Sequence, residues 1–194
     1  LAAVVSTLNR TNEVFEVDMA VSFQLVSGTE IIYPTASTDP YSSSSPNGQL
    51  QSTLTSEVGE SNYDIGHLFD YGSNNGNAGC IGCVCVDGQK GSGFSSHQFT
   101  DNDGGPYMDD FFDIDYVPHE IGHQMGGNHT FSMSSEGTGV NYEPGSGTTI
   151  MGYAGITGAD DVQDHSDPYF HYGTINQVLN NLENKTCWTS TVIT

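Results

Sequence analysis

Residues 119–129 read His-Glu-Ile-Gly-His-Gln-Met-Gly-Gly-Asn-His, an order of side chains that can hold a metal and use it. His119 and His123 are four apart, so on a helix they project from one face, one turn from each other. Two imidazoles at that spacing can share one Zn²⁺ at about 2.0–2.1 Å each. Glu120 directly follows the first of them and reaches a metal-held water more easily than the metal itself. Gly126 lets the chain leave the helix in a sharp turn, which brings His129 back as a third ligand. Three protein ligands leave a position open, as catalytic zinc requires and structural zinc does not. In such a site zinc lowers the pKa of its water toward about 7. Glu120 takes the proton as general base and passes it to the leaving amine of a cleaved peptide bond. The pattern fixes five positions, so a chance match in a chain of this size is on the order of one in ten thousand.

The other histidines, His67, His97, His165 and His171, have no partner at ligand spacing and read as hydrogen-bonding or surface residues. His97 is the one expected nearest to a substrate.

The elements that must carry this site can be read from periodicity. Phe112, Tyr116, Ile121 and Met125 predict a helix over 111–124 that stops at Gly126-Gly127. Leu1, Val4, Val5 and Leu8 predict a first helix of about a dozen residues. The alternation of Val17, Met19, Val21, Phe23 and Leu25 predicts a strand over 13–26. A short strand is expected at 31–33, then a surface loop over 35–47. Leu50, Leu54 and Val58 predict a second helix, and Ile175, Val178, Leu179 and Leu182 a last one. Extended segments are expected at 64–69, 80–86 and from 91, with a polar turn at 101–105. The fold class is α+β, with 194 residues forming a single domain of two lobes, about 1–128 and 129–194.

Charge narrows the partners. Acidic residues number 24 against 3 basic ones, a net charge of −21. Nothing can neutralise phosphates, so nucleic acid and anionic membranes are not expected partners. No run of 18 apolar residues exists to span a bilayer. The acidic surface keeps the protein soluble, and its carboxylates also suit calcium. Residues 1–8 are too short for a signal peptide and lack a basic start, so the chain is expected to be a mature form. Four cysteines, Cys80, Cys83, Cys85 and Cys187, fit disulfides in an oxidising compartment. A structural zinc knuckle is the rival reading, but only Cys80 and Cys83 have the C-x-x-C spacing.

The pattern from His119 to His129 resembles the metzincin zinc peptidases. Thr148-Thr149-Ile150-Met151-Gly152-Tyr153 fits their Met-turn, with Met151 as the apolar floor beneath the imidazoles. The wider text is similar to bacterial secreted reprolysin-like (adamalysin-related) enzymes. The similarity lies in 63–67, 82–85, 115–131, 143–147 and 166–171. The chain departs from adamalysins proper in carrying Thr130 where they have Asp, and from bacterial relatives in carrying Thr157 near an expected Cys.

The resemblance implies an upper lobe with a twisted mixed, mostly parallel sheet and helices. It also implies a loop-rich lower lobe with the Met-turn and a terminal helix. It implies a secreted, extracellular zymogen, expected to be a monomer, that cleaves proteins or peptides. It favours the disulfides Cys85–Cys187 and Cys80–Cys83, and an edge strand near 91–96 that pairs with substrate. Tyr153 lies two residues after Met151, where astacin and serralysin branches place a zinc-ligating, oxyanion-binding tyrosine that adamalysin-like enzymes lack. It is therefore either such a residue or a packed wall aromatic. Asp160 and Asp161 either favour a basic substrate side chain, stay solvated, or bind calcium. The function expected is that of a zinc-dependent endopeptidase. The alternative is a non-catalytic zinc-stabilised binding module, which usually lacks the glutamate present here.

Overall fold

Thr7, Thr11, Val14, Phe15 and Met19 are all buried and share one helical face. In the computed structural model, which describes residues 1–27, 31–42, 44–99 and 110–191, they belong to one long helix, α1, Ala2–Met19. The strand expected over 13–26 is absent. No Gly or Pro interrupts residues 8–19, so nothing stops the helix before Ala20, which closes it in the left-handed region at φ 55°. Val17, placed by the strand reading on the buried face, is 81% exposed. The chain then doubles back. Asn12 fixes the return, accepting from the Phe23 amide at 2.7 Å and donating to the Phe23 carbonyl at 2.9 Å.

The short strand expected at 31–33 does not form either; Ile31 packs instead beside Leu50, Leu54 and Tyr63. Leu50 and Leu54 lie on the predicted second helix, α2, Asn47–Glu57.

Among the described residues the sheet has three strands, β1 (His67–Tyr71), β2 (Asn75–Asn77) and β3 (Gly93–His97), in the order β1-β3-β2. β1 runs parallel to β3, pairing His67 with Gly93. β2 runs antiparallel to it, pairing Asn75 with Ser96. The expectation of an edge strand near 91–96 is thus corrected: β3 is the central strand, every residue of it is buried, and β2 is an edge.

Residues 80–86, expected to be extended, turn tightly, with positive φ at Gly82 and Cys85. This loop carries three of the four cysteines, and the structure pairs Cys80 with Cys83 and Cys85 with Cys187. Nearby, the buried Lys90 ammonium donates to the Glu60 carbonyl and the Asp87 carboxylate, both at 2.6 Å, and lies over the Tyr63 ring. Arg10 on α1 pairs with Glu13 and Asp110.

The long helix expected over 111–124 is two pieces: a π-helical turn, Phe112–Tyr116, then α3, Val117–Met125. Pro118 sits at the junction, where a continuous α-helix would need its missing N–H. The last helix, α4, is Tyr172–Leu182, capped by the His171 ring accepting from the Gly173 amide at 3.0 Å. The polar turn expected at 101–105 lies outside the described residues.

One core cluster joins α1 (Val14, Phe15, Met19), α3 (Val117, Ile121, Met125), the Met-turn (Ile150, Met151) and α4 (Val178). Full burial of each such side chain contributes about 1.5–3 kcal/mol. Among the described residues, no helix is long and apolar enough to cross a membrane.

His67 ties the sheet to α3. Its Nδ1 donates to Gln124 at 2.8 Å and its Nε2 accepts from Ser95 at 3.0 Å. Burial pushes its imidazole down to about 4. Between pH 6.5 and 4 the unfolded chain therefore binds a proton that the folded chain does not. His67's contribution is fully present above pH 6.5 and is lost as pH falls toward 4. The shift corresponds to about 3 kcal/mol. Urea unfolding of metal-free protein should show His67→Gln flattening this part of the pH dependence. An unchanged slope would exclude His67 as its source.

Candidate active site

Val117, Ile121 and Met125 drive one face of α3 into the core, which carries His119 and His123 together along a neighbouring face. Gly126 then adopts φ 119° and ends the helix, and the chain reverses with the Gly127 amide donating to the Gly122 carbonyl at 2.8 Å. His129 is returned beside the other two. Ring centroids are 4.8 Å apart for His119–His123, 5.2 Å for His119–His129 and 4.5 Å for His123–His129.

The helix end is held from outside. The Gly82 amide donates to the His123 carbonyl at 2.9 Å and the Val84 amide to that of Gln124 at 3.1 Å. Asn181 of α4 donates to the Met125 carbonyl at 2.8 Å. These bonds add partners to carbonyls at a helix C-terminus, where intrahelical donors run out.

Each imidazole is oriented through Nδ1. His119 contacts the Ile150 carbonyl at 2.6 Å, His123 the Gly127 carbonyl at 2.7 Å, and His129 both Glu136 carboxylate oxygens at 3.0 Å. Carbonyl and carboxylate oxygens only accept, so each Nδ1 carries the proton and each Nε2 presents a lone pair. The ligand atoms all lie within 4.8 Å of one another, and the Nε2 atoms of His123 and His129 are 3.0 Å apart. Two lone pairs facing at that distance repel unless a cation lies between them, so the residues present fit a zinc ion. Burial first, and then neighbouring imidazole charge, pushes His123 down to about 4 and His119 well below its usual value. Both are therefore neutral, as metal ligands must be.

Met151 is fully buried beneath α3, against Gly122, where a Cβ would come within 2.7 Å of its sulfur. A family model for the reprolysin-like metallopeptidases, family M12B, matches residues 1–182. The chain belongs to this family. No curated protein matches it.

Other expected positions fall variously around this reprolysin-like centre. Glu120 is nearly buried under β2: the Ala78 amide donates to its carboxylate, and a Cβ on Gly76 would overlap it. Burial pushes its carboxyl up to about 8. Tyr153 stacks on His119 at 5.6 Å and meets His129 edge-on at 4.5 Å. His97, expected near substrate, is instead a core residue among Phe99, Phe111, Phe112 and Tyr116. Asp161 is occupied by its own loop, accepting from Thr157 and Gly158. Among the described residues, the His triad is the group whose ligand atoms converge; no acidic cluster does so.

Sequence reasoning missed Glu136. It lies in a Gly/Ser-rich stretch, seven residues past His129, and no spacing rule places its carboxylate on that ring. A carboxylate on a ligand's far nitrogen raises the ligand's basicity and fixes its orientation. Glu136→Gln should therefore weaken zinc binding about 10–100-fold in competition with a chromophoric chelator. An unchanged affinity would show that the contact does not tune His129.

Proposed function

We propose that this metallopeptidase is a secreted zinc endopeptidase, one catalytic domain spanning 1–194, with His119, His123 and His129 as ligands and Glu120 as general base. The observation that carries the reading is the set of three Nε2 lone pairs, each enforced by an acceptor on Nδ1, beside a nearly buried carboxylate. Pairing of all four cysteines supports an extracellular setting, and the core shared by α1, α3, α4 and the Met-turn supports a single unit.

When bound, zinc supplies Lewis acidity and positive charge at the open side of the triad. Glu120 must be ionised to act as a base. Its carboxyl, raised by burial, would come down again with a cation held by the three imidazoles. Glu120 then takes a proton from water and returns it to the departing amine. The edge strand β2 lies directly over Glu120. In this reading an extended substrate lies alongside that strand, which brings a peptide bond to the base without reading side chains. Such docking suits protein or peptide chains that are locally unfolded.

In this reading Tyr153, whose ring lies against His119 and His129, donates to the oxygen on which charge develops. Burial, then Glu120 and Glu136, push its hydroxyl up to about 12, so it stays a donor at working pH. Tyr153→Phe should lower kcat about a hundredfold with KM little changed. A change of only severalfold would make it a wall residue.

The reading as a whole is tested by casein turnover. Activity should disappear with a chelator and return with added zinc. Zinc bound tightly with no turnover on casein or unfolded proteins would instead favour the non-catalytic binding module.

A further inference from the structure

Glu143 lies outside the metal-binding motif, yet its carboxylate is buried, 6% exposed. One oxygen accepts the Thr148 and Thr149 amides at 2.9 and 3.0 Å; the other accepts the Thr149 hydroxyl at 2.6 Å and the Thr130 hydroxyl. The Thr148 hydroxyl adds a longer contact at 3.5 Å; every one of these groups donates, so the carboxylate is held in its acceptor-only, ionised form. No Lys, Arg or His ion pair reaches it among the described residues. An unpaired buried charge costs several kcal/mol unless hydrogen bonds replace its water, and here they do. A loop that needed only packing would not require an ion at this place.

What the donating threonines have in common is their position in the chain. Thr130 directly follows His129. Thr148 and Thr149 directly precede Ile150, whose carbonyl orients His119, and Met151 lies next, beneath the rings. Main-chain bonds reinforce the link: the Glu143 amide donates to the Thr130 carbonyl at 2.8 Å, and the Thr130 amide to the Met151 carbonyl at 3.0 Å.

We propose that Glu143 is a positioning residue for the metal centre, a single carboxylate that locks the segment carrying the third histidine to the segment that aims the first. The proposal rests on the zinc reading above. Glu143 touches neither metal nor substrate and acts through Thr130 and Thr149.

The test uses the full chain with Zn²⁺ and Co²⁺ as probes. Glu143→Gln keeps the shape but turns one acceptor oxygen into a donor facing two donors. It should lower zinc affinity about tenfold and alter the visible ligand-field spectrum of the Co²⁺ form. It should also lower kcat at saturating zinc while KM stays near its original value. Thr130→Val and Thr149→Val each cut one arm without burying a lone charge, and each should shift the Co²⁺ spectrum in the same sense. They decide the matter if Glu143→Gln does not fold. A Co²⁺ spectrum and zinc affinity equal to wild type in the Val variants, with only the unfolding midpoint lowered, would overturn the proposal and leave the zinc reading intact. Failure of the wild-type chain to bind Zn²⁺ through the triad would overturn both.

Discussion

Glu120→Gln is expected to leave zinc bound and to lower kcat about a thousandfold or more. The three imidazoles and their Nδ1 partners are untouched by the change, so the metal site keeps its ligands. Gln fills the same volume under β2 and can still accept the Ala78 amide, so the edge strand keeps its place. What disappears is the ability to hold a proton between two steps, worth about 10²–10⁴ in rate. A thousandfold loss corresponds to about 4 kcal/mol of transition-state stabilisation. The measurement pairs zinc content with kcat on one peptide. More than a few per cent of wild-type kcat in metal-loaded Glu120→Gln would remove Glu120 from the role of base.

Replacing Cys85 and Cys187 together with Ser should cost about 4–5 kcal/mol, because the bridge closes a loop with a sequence separation of 102. In a chain of this size that lowers Tm by roughly 10–20 °C. The effect should reach the active site. Cys85 belongs to the loop whose amides cap the carbonyls of His123 and Gln124, and α4, just before Cys187, caps Met125. Freeing that loop frays the end of the helix that carries the ligands, so zinc affinity should fall along with stability. Urea unfolding and chelator competition on the double variant test both effects. A loss below about 1 kcal/mol would mean that the loop is held by its hydrogen bonds alone.

The metal site was legible in the sequence because its geometry is local. Two histidines four positions apart lie one helical turn from each other, and Gly126 marks the reversal that brings back the third. α2 and α4 were legible from apolar periodicity for the same reason. The errors arose where distance along the chain decides. Thr7 and Thr11 complete the buried face of α1, but a pattern built on apolar residues does not count them, so the alternation from Val17 onward reads as a strand. Which strand is central depends on pairing across the sheet, and residues 91–96 carry no mark of it. Glu136 and Glu143 look like any other acidic residues in a chain with 24 of them. Only the folded chain shows which carboxylates lie beside His129 and between the two ligand-bearing segments.

The few cations of this molecule have a consequence for its survival among other proteases. Trypsin-like enzymes need an exposed Lys or Arg on a chain that can be drawn out into their cleft, and this sequence offers three. Arg10 is wound into α1 and tethered to Glu13 and Asp110. Lys90 is buried against the Tyr63 ring with its ammonium bonded on two sides. Lys185 lies three residues past the end of α4 and two residues from the disulfide at Cys187. A cut there leaves the remaining tail fastened to the body through sulfur. The folded molecule thus offers little to a protease that cuts beside Lys or Arg.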